Sequence, residues 1–544
     1  RSPSRGLGDV YKRQDDYLLE GAVEKVRLSL LNDNNLENLE FLFKIKKKNY
    51  QLTKVKTNFN KIKLSSPKIK IKDKKDFFYI EGKILTKEND INLEKLKRLF
   101  QNDIGDLNLE KINFSSNSNF SFNISKHLKI KDLKIESQVD LKQLYLKNNQ
   151  INLKSYFPNF EEKLEFKNHK IEIIYKKNKL SLIGEGKILI NQKVDAVSYI
   201  IKRNNKDYTF NINLNINQNP LNINFLDYSK NEKIKSSLVI NCTYNKIKKT
   251  KCNNILFEEN KNNISIKDLI LNDKYKVLDI KQIRLNYVNN TKVKNEIIFK
   301  KREKKYFITG KSFDATKIIN ELMGKQNEDS SIFNNLNSKF DIKIDKVYLD
   351  HISFVNNLFG TINLKQNKIQ DLNLDSSFSN GKKINLTVKL NEKNEKITTL
   401  FSGYPKPLIK RFKFIKGFEE GILDFYSIKK DGVSNSLLTI DDFKIQEVPI
   451  LAKLLSLASL QGIADLLTGD GIRFNNFEMK FSNKKDLMTI DELYAIGPAI
   501  SILMDGYLEA DNLVSLRGTL VPATTINKSI ACLLYTSDAA DEED

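Results

Sequence analysis

Residues 208–217 read YTFNINLNIN, an alternation without a fault. In an extended strand Tyr208, Phe210, Ile212, Leu214 and Ile216 point to one side, and Thr209, Asn211, Asn213, Asn215 and Asn217 to the other. The pattern recurs. A turn at QNP leads into LNINF (221–225), and INLTVKLN (384–391) alternates through Ile384, Leu386, Val388 and Leu390. Asn380-Gly381 just before it is a hairpin signal of the two-residue type. FDIKIDKVYL (340–349) and ISIKDLIL (264–271) add further strands. Period two sustained in this way predicts a sheet with one apolar face and one wet face.

Helical patterns are few. INLEKLKRLF (91–100) and DATKIINELMG (314–324) are short candidates, and VPILAKLLSLASLQGIADLLTGDG (448–471) is the strong one. There Pro449 suits the first turn, and Gly469 and Gly471 suit the stop, giving a helix over 449–468. An apolar sheet face has to be covered. Roughly 500 residues at about ten to twelve per strand and turn give on the order of forty strands, too many for these helices to cover. Several separate domains would solve the problem, but no Pro/Gly/Ser-rich linker divides the chain. The remaining solution is mainly β: a long, rolled, mostly antiparallel sheet groove, taco- or solenoid-like, with a few short helices and the Leu-rich helix near the C-terminus. Phe210, Ile212, Leu214, Ile216, Ile384, Leu386, Val388 and Leu390 are then the candidate groove-lining residues. An ordinary packed core is the alternative place for them.

The two ends are unlike the rest. Asp9–Gln14 can be written GAT GTG TAT AAG AGA CAG, and Cys532–Ser537 can be written TGT CTC TTA TAC ACA TCT. As reverse complements these share the run TGTCTCTTATACACATC, which resembles the transposase-recognition end used in sequencing libraries. Residues 1–14 and 532–544 are therefore expected to be adapter-encoded and are set aside from fold reasoning. The alternative for the acidic tail is an interaction segment. The native chain is expected to cover about residues 15–531 and to be cut at both ends, so a missing leader or anchor carries no meaning. The net charge is +23; the two end stretches carry +3 and −5, which leaves +25 between them.

A basic balance of that size attracts nucleic acid or anionic lipid. The plainer reading is nucleotide bias, since Lys, Asn and Ile all have A/T-rich codons and the lysines are scattered. KIKLSSPKIKIKDKK (61–75) lacks the aromatic interleaving of a single-strand binder and reads as a strand with a solvated Lys face. No run of eighteen apolar residues is present, so no transmembrane helix is predicted. Phosphate-binding, zinc-protease, C-x-x-C and nucleophile-elbow motifs are missing. His127, His169 and His351 are far apart in sequence. No catalytic residue, metal site or cofactor is predicted. Between the end stretches lie two cysteines, Cys242 and Cys252, in LVINCTYNKIKKTKCNNILF. NKIKKTK reads as a hairpin turn with one Cys on each arm, close enough for a disulfide in an oxidising compartment. Two unpaired core thiols are the alternative.

The C-terminal stretch is more specific. Gly462, the Gly469-Asp470-Gly471 turn, Ile472-Arg473-Phe474, Gly497-Pro498, Asp505-Gly506, and Gly518 through Pro522 follow or lie within the Leu-rich helix pattern. Together they resemble the C-terminal region of the AsmA-like superfamily, especially its YhdP-like branch, over about residues 440–528. Pieces at 308–322 and the strands from 337 to 400 are similar more loosely. SGYPKPLIKRF (402–412) departs from the pattern where an Asp-Gly-containing helix start is expected. The resemblance implies a repetitive β-groove region over 15–330 and a truncated C-terminal region over 331–531. It further implies an inner-membrane-anchored protein facing the periplasm of a Gram-negative bacterium. Its role would be to move phospholipid between inner and outer membranes, with outer-membrane or other envelope proteins as partners and no nucleic acid. An envelope structural or assembly factor whose groove is filled by side chains is the competing reading.

Overall fold

The computed structural model describes residues 18–29, 35–59, 62–91, 108–127, 129–147, 153–158, 160, 163–190, 192–245, 249–323, 337–366, 368–410, 417–446, 471–485, 487–509 and 514–522. They form thirty strands, twenty-eight of them in one mostly antiparallel sheet. The number is below the forty expected because the strands are long; Asn108–Ser125 and Ile130–Lys147 have 18 residues each. The sheet does not close: among the described pairings, Leu18–Ser29 and Val514–Pro522 each have a neighbour on one side only.

Two compact units divide the chain: residues up to Ile280 together with Tyr287–Asn290, and Lys281–Asn286 together with everything from Thr291. In the first, strands from Leu18–Ser29 to Asn262–Leu271 follow one another as antiparallel neighbours, so sequence order is spatial order. The alternating run becomes the strand Asp207–Asn215. Ile216 leaves it, donating its N–H to the Ser236 carbonyl, and is fully buried. Residues 216–235 are an insertion between paired strands, and hold a small hairpin of Leu221–Ile223 and Tyr228–Lys230.

The second unit is also a meander, with one exception. Lys305–Asp314 and Ser338–Tyr348 pair in parallel. A parallel pair needs a crossover, and the helix predicted at 314–324 lies in it as Thr316–Met323. Of the helix expected at 91–100 only Ile91 is described, as the end of the strand Phe77–Ile91; its remainder and the helix expected at 449–468 fall outside the described residues. The turn at Asn380-Gly381 is longer than the two-residue form expected. Four residues separate the strands; Phe378 N–H donates to the Lys382 carbonyl and Gly381 N–H to the Phe378 carbonyl.

Two devices bend the long strands. The first is the β-bulge, which adds a residue to one strand and increases its local twist. Register shifts fall between Val23 and Val26, Glu37 and Glu40, Lys167 and Lys170, and Asn356 and Phe359. Residues within them, Lys25, Asn38, Asn168 and Asn357, have positive φ. The second is glycine beneath an aromatic ring, which lets the ring lie flat on the neighbouring strand. Gly82 faces Phe120 and Gly184 faces Tyr199. At Gly186 a Cβ would lie 2.4 Å from His169 Cγ and 2.8 Å from its Cα.

His169 is 1% exposed. Its Nε2–H donates to the Lys187 carbonyl at 3.0 Å, so Nδ1 accepts from the Tyr199 hydroxyl, also at 3.0 Å. Burial holds the imidazole below its ordinary value and pushes the Tyr199 phenol up to about 12. Because the unfolded chain takes up the proton first, the stability this neutral ring contributes is complete above pH about 6.5 and is lost as pH falls through the depressed value. Urea midpoints measured from about pH 7 to about pH 5.5 should therefore fall more steeply for the wild type than for His169→Gln; equal slopes would refute the assignment. Gly186→Ala should cost about 1–3 kcal/mol in the same assay, and an unchanged midpoint would show that the contact relaxes freely.

Candidate functional site: an uncovered apolar face

Paired residues of neighbouring strands present their side chains on one face, so the registers extend the alternation of single strands into rows. In the first unit one row runs Ile171, Gly184, Tyr199, Ile212, Ile240 and Ile255 across six strands. A second passes Leu182, Ile201, Phe210, Cys242 and Cys252. A third passes Val197, Leu214, Leu238, Phe257 and Ile264. Phe210, Ile212 and Leu214, predicted from one strand, are thus brought into a continuous apolar surface.

They are only half-buried. The reason is what lies above them. Among the described elements, the close packing is between strands that succeed one another in the chain; the exceptions are the helix Lys406–Ile409 on Phe418–Lys430 and the small insertion's own contacts. The described cover on this face is the small two-stranded sheet of the insertion, at one margin. The opposite face is wet: Asn211, Asn213 and Asn215 are exposed there. It bears a shallow trough of about 760 Å³ in which Lys170, Glu185 and Asn213 stand beside the apolar Ile183, Ile200 and Val239. No cluster with metal-ligating composition occurs among the described residues, and no described helix is long and apolar enough to cross a membrane.

One margin of the apolar face is roofed. Tyr228 of the inserted hairpin meets the Phe257 and Tyr287 rings edge-on, each at 5.8 Å. Its hydroxyl donates to Glu259 at 2.7 Å, and Asn262 donates to the same carboxylate at 2.6 Å. Burial, with the nearby Glu259 carboxylate, pushes the Tyr228 phenol far up. Asp195 accepts from the Asn217 and Gln218 N–H groups at 2.7 and 2.8 Å, tying down the insertion's start. Lys230, 2% exposed, donates to the Asn231 and Ile234 carbonyls, and burial lowers its pKa. Reading the sequence strand by strand missed this polar anchor. Its only local signals are the QNP break and the crowding of Asn, Asp and Lys after it.

In the second unit, Leu374, Leu386, Leu400, Phe425, Leu438 and Met479 form one row. Ile384 and Leu386 are half-buried, Val388 is 6% exposed, and Leu390, facing Lys396 at the strand end, is 36% exposed. Toward the C-terminus the same face becomes a closed core of Phe418, Leu423, Ile440, Phe443, Ile472 and Phe474, with Ile409 packed on it. Gly471 enters this core with positive φ. Gly497 donates its N–H to the Ile500 carbonyl before Pro498. Gly506, Gly518 and Pro522 lie on the last two strands, where a Cβ on Gly506 would meet the Ser515 carbonyl at 2.1 Å. Gly462 and Gly469 fall outside the described residues.

Cys242 and Cys252 are bonded through their sulfurs and lie beside Phe210 in the second row. The bridge closes a short loop, with a sequence separation of 10, so its removal by Cys242→Ala with Cys252→Ala should cost about 2–3 kcal/mol. A urea midpoint that does not move, under non-reducing conditions, would show that the bridge contributes nothing. No family model matches the chain, and neither the curated proteins nor the solved structures contain a match to it.

Proposed function

We propose that the chain is a non-enzymatic carrier of phospholipid, with acyl chains lying on the apolar face of the first unit. The observation that carries this reading is a multi-strand apolar surface, roofed at one margin by the inserted hairpin, on which Phe210, Ile212 and Leu214 stay half-buried. Leaving such a surface in water is unfavourable by about 25 cal/mol per Å², so an apolar occupant is favoured. The matching cost on the lipid side is large. A lipid with some thirty methylenes leaving a bilayer exposes them at about 0.8 kcal/mol each, an upper bound of roughly 25 kcal/mol. A continuous apolar path removes most of that barrier, and no covalent step is required. The resemblance of the C-terminal motifs to the AsmA-like superfamily supports the same reading. On this proposal the protein works in the envelope of a Gram-negative bacterium, between inner and outer membranes. The disulfide fits an oxidising compartment there.

A second reading applies to the C-terminal unit, where the closed core around Phe443 and Phe474 favours a structural or assembly role for that part. A photo-crosslinker at Leu214, on the apolar face, should capture lipid, whereas one at Asn213, on the wet face, should not. A folded Leu214 derivative that captures no lipid would sink the carrier reading.

A further inference from the structure

The first unit has two edges, each formed by alternate turns of the meander. Along one edge lie the turns at 47–48, 74–76, 126–129, 177–178, 205–206 and 272–276, with Lys249 in the turn between the cysteine strands. Their adjacency is direct: Asp73 N–H donates to the Lys48 carbonyl, and Lys126 reaches Asp73 at 3.0 Å. Every second strand brings a turn to this edge, so turns recur about every 10 Å. They are rich in exposed lysine, including Lys48, Lys75, Lys129, Lys177, Lys179 and Lys274.

Nucleotide bias would load both edges alike. The opposite edge differs. The basic edge carries Asp73, Asp76, Asp207 and Asp273 too, but its lysines outnumber them; along the described part of the opposite edge Lys193 pairs with Glu232, Lys230 is buried, and Asp227, Glu232 and Glu259 stand among the remaining lysines.

A second observation concerns the face beside the basic edge. The last row before the turns is not aliphatic. Tyr175, Leu180, Arg203, Tyr208 and Tyr244 lie in register across five strands, on the same face as Ile212 and Leu214. Tyr208 and Phe210 stack with centroids 6.2 Å apart, joining this row to the apolar rows. Moving outward, the surface therefore passes from aliphatic side chains, through tyrosine rings with polar ends and an arginine, to lysine turns. This is the order of chemistry met in passing from acyl chains to phosphate at a membrane interface.

We propose that this edge is the headgroup seam of the lipid path, and that its substrates are anionic phospholipids. The inference rests on the carrier reading above. Chains lie on the aliphatic rows, glycerol and ester groups lie at the Tyr–Arg row, and phosphates meet the lysines, which act as point charges. The opposite, roofed edge takes no headgroups.

The test uses the full chain incubated with vesicles of equal phosphatidylglycerol and phosphatidylcholine, followed by analysis of the bound lipid. The wild type should take up phosphatidylglycerol in roughly fivefold to tenfold preference, as expected from one or more lysines at each phosphate. Lys177→Gln, Lys179→Gln, Lys206→Gln and Lys249→Gln combined should bring the ratio near parity while total bound lipid is kept. The control combination Lys154→Gln, Lys235→Gln and Lys261→Gln on the other edge should leave the preference intact. All these positions are exposed, and matched urea midpoints verify folding. Four results would overturn the seam while leaving lipid carriage standing: a wild type that carries both lipids without preference, a seam variant that keeps its preference, a control that loses it equally, or displacement of the anionic preference by millimolar inorganic phosphate. A single-stranded oligonucleotide that binds the edge with a steep log-linear salt dependence would also overturn it. Uptake of neither lipid by the wild type would overturn the carrier reading itself.

Discussion

The constraint on which this structure depends is the one-sidedness of its strands. A period-two sequence commits each strand to one apolar face and one wet face, and a meander of such strands adds these faces into a single surface. Most domains resolve this by laying a second layer on the apolar side. In the first unit the inserted hairpin covers one margin, where Phe257 is buried, and Phe210, Ile212 and Leu214 beyond it stay half-buried. In the second unit the same face runs from half-buried Leu386 to fully buried Ile472 and Phe474. One strand grammar thus gives an accessible surface in one place and a packed core in another.

The bending devices follow from the same constraint. A flat sheet of long strands with an uncovered apolar face is an aggregation hazard. Bulges at positive-φ residues such as Asn168 and Asn357, and glycines beneath Phe120, Tyr199 and His169, twist and bend it instead. The buried imidazole shows how tightly one such site is specified. A ring replacing the missing glycine side chain has to find partners for both nitrogens, and His169 finds them in Lys187 and Tyr199.

Much of the fold was legible from local pattern. The alternation at 208–217 placed Phe210, Ile212 and Leu214 on one face, and the register set them beside Tyr199, Ile240 and Leu238. The hairpin arms around Cys242 and Cys252 were equally plain. Less legible were features that depend on residues far apart in sequence. Lys305–Asp314 looks like any other strand, yet it pairs in parallel with Ser338–Tyr348. The LNINF run looked like another alternating strand, but only Leu221–Ile223 is extended, and it belongs to an inserted hairpin anchored by Glu259 and Asp195. Asn380-Gly381 signalled a tight turn and produced a longer one, because the pairing of Phe378 with Lys382 sets the loop length. Polar anchors of this kind leave no periodic trace.

By itself the sequence determined which side of each strand is apolar, because a side-chain period of two is a property of the extended backbone and needs no neighbour. It also determined that lysine is abundant, but not where it gathers. Only the tertiary structure decided that the apolar sides of consecutive strands merge without a covering layer, that a hairpin roofs one margin, and that alternate turns collect lysine along the other. Those outcomes depend on strand order, register and the direction of each turn, which are fixed by pairing between segments and not by the pattern within any one of them.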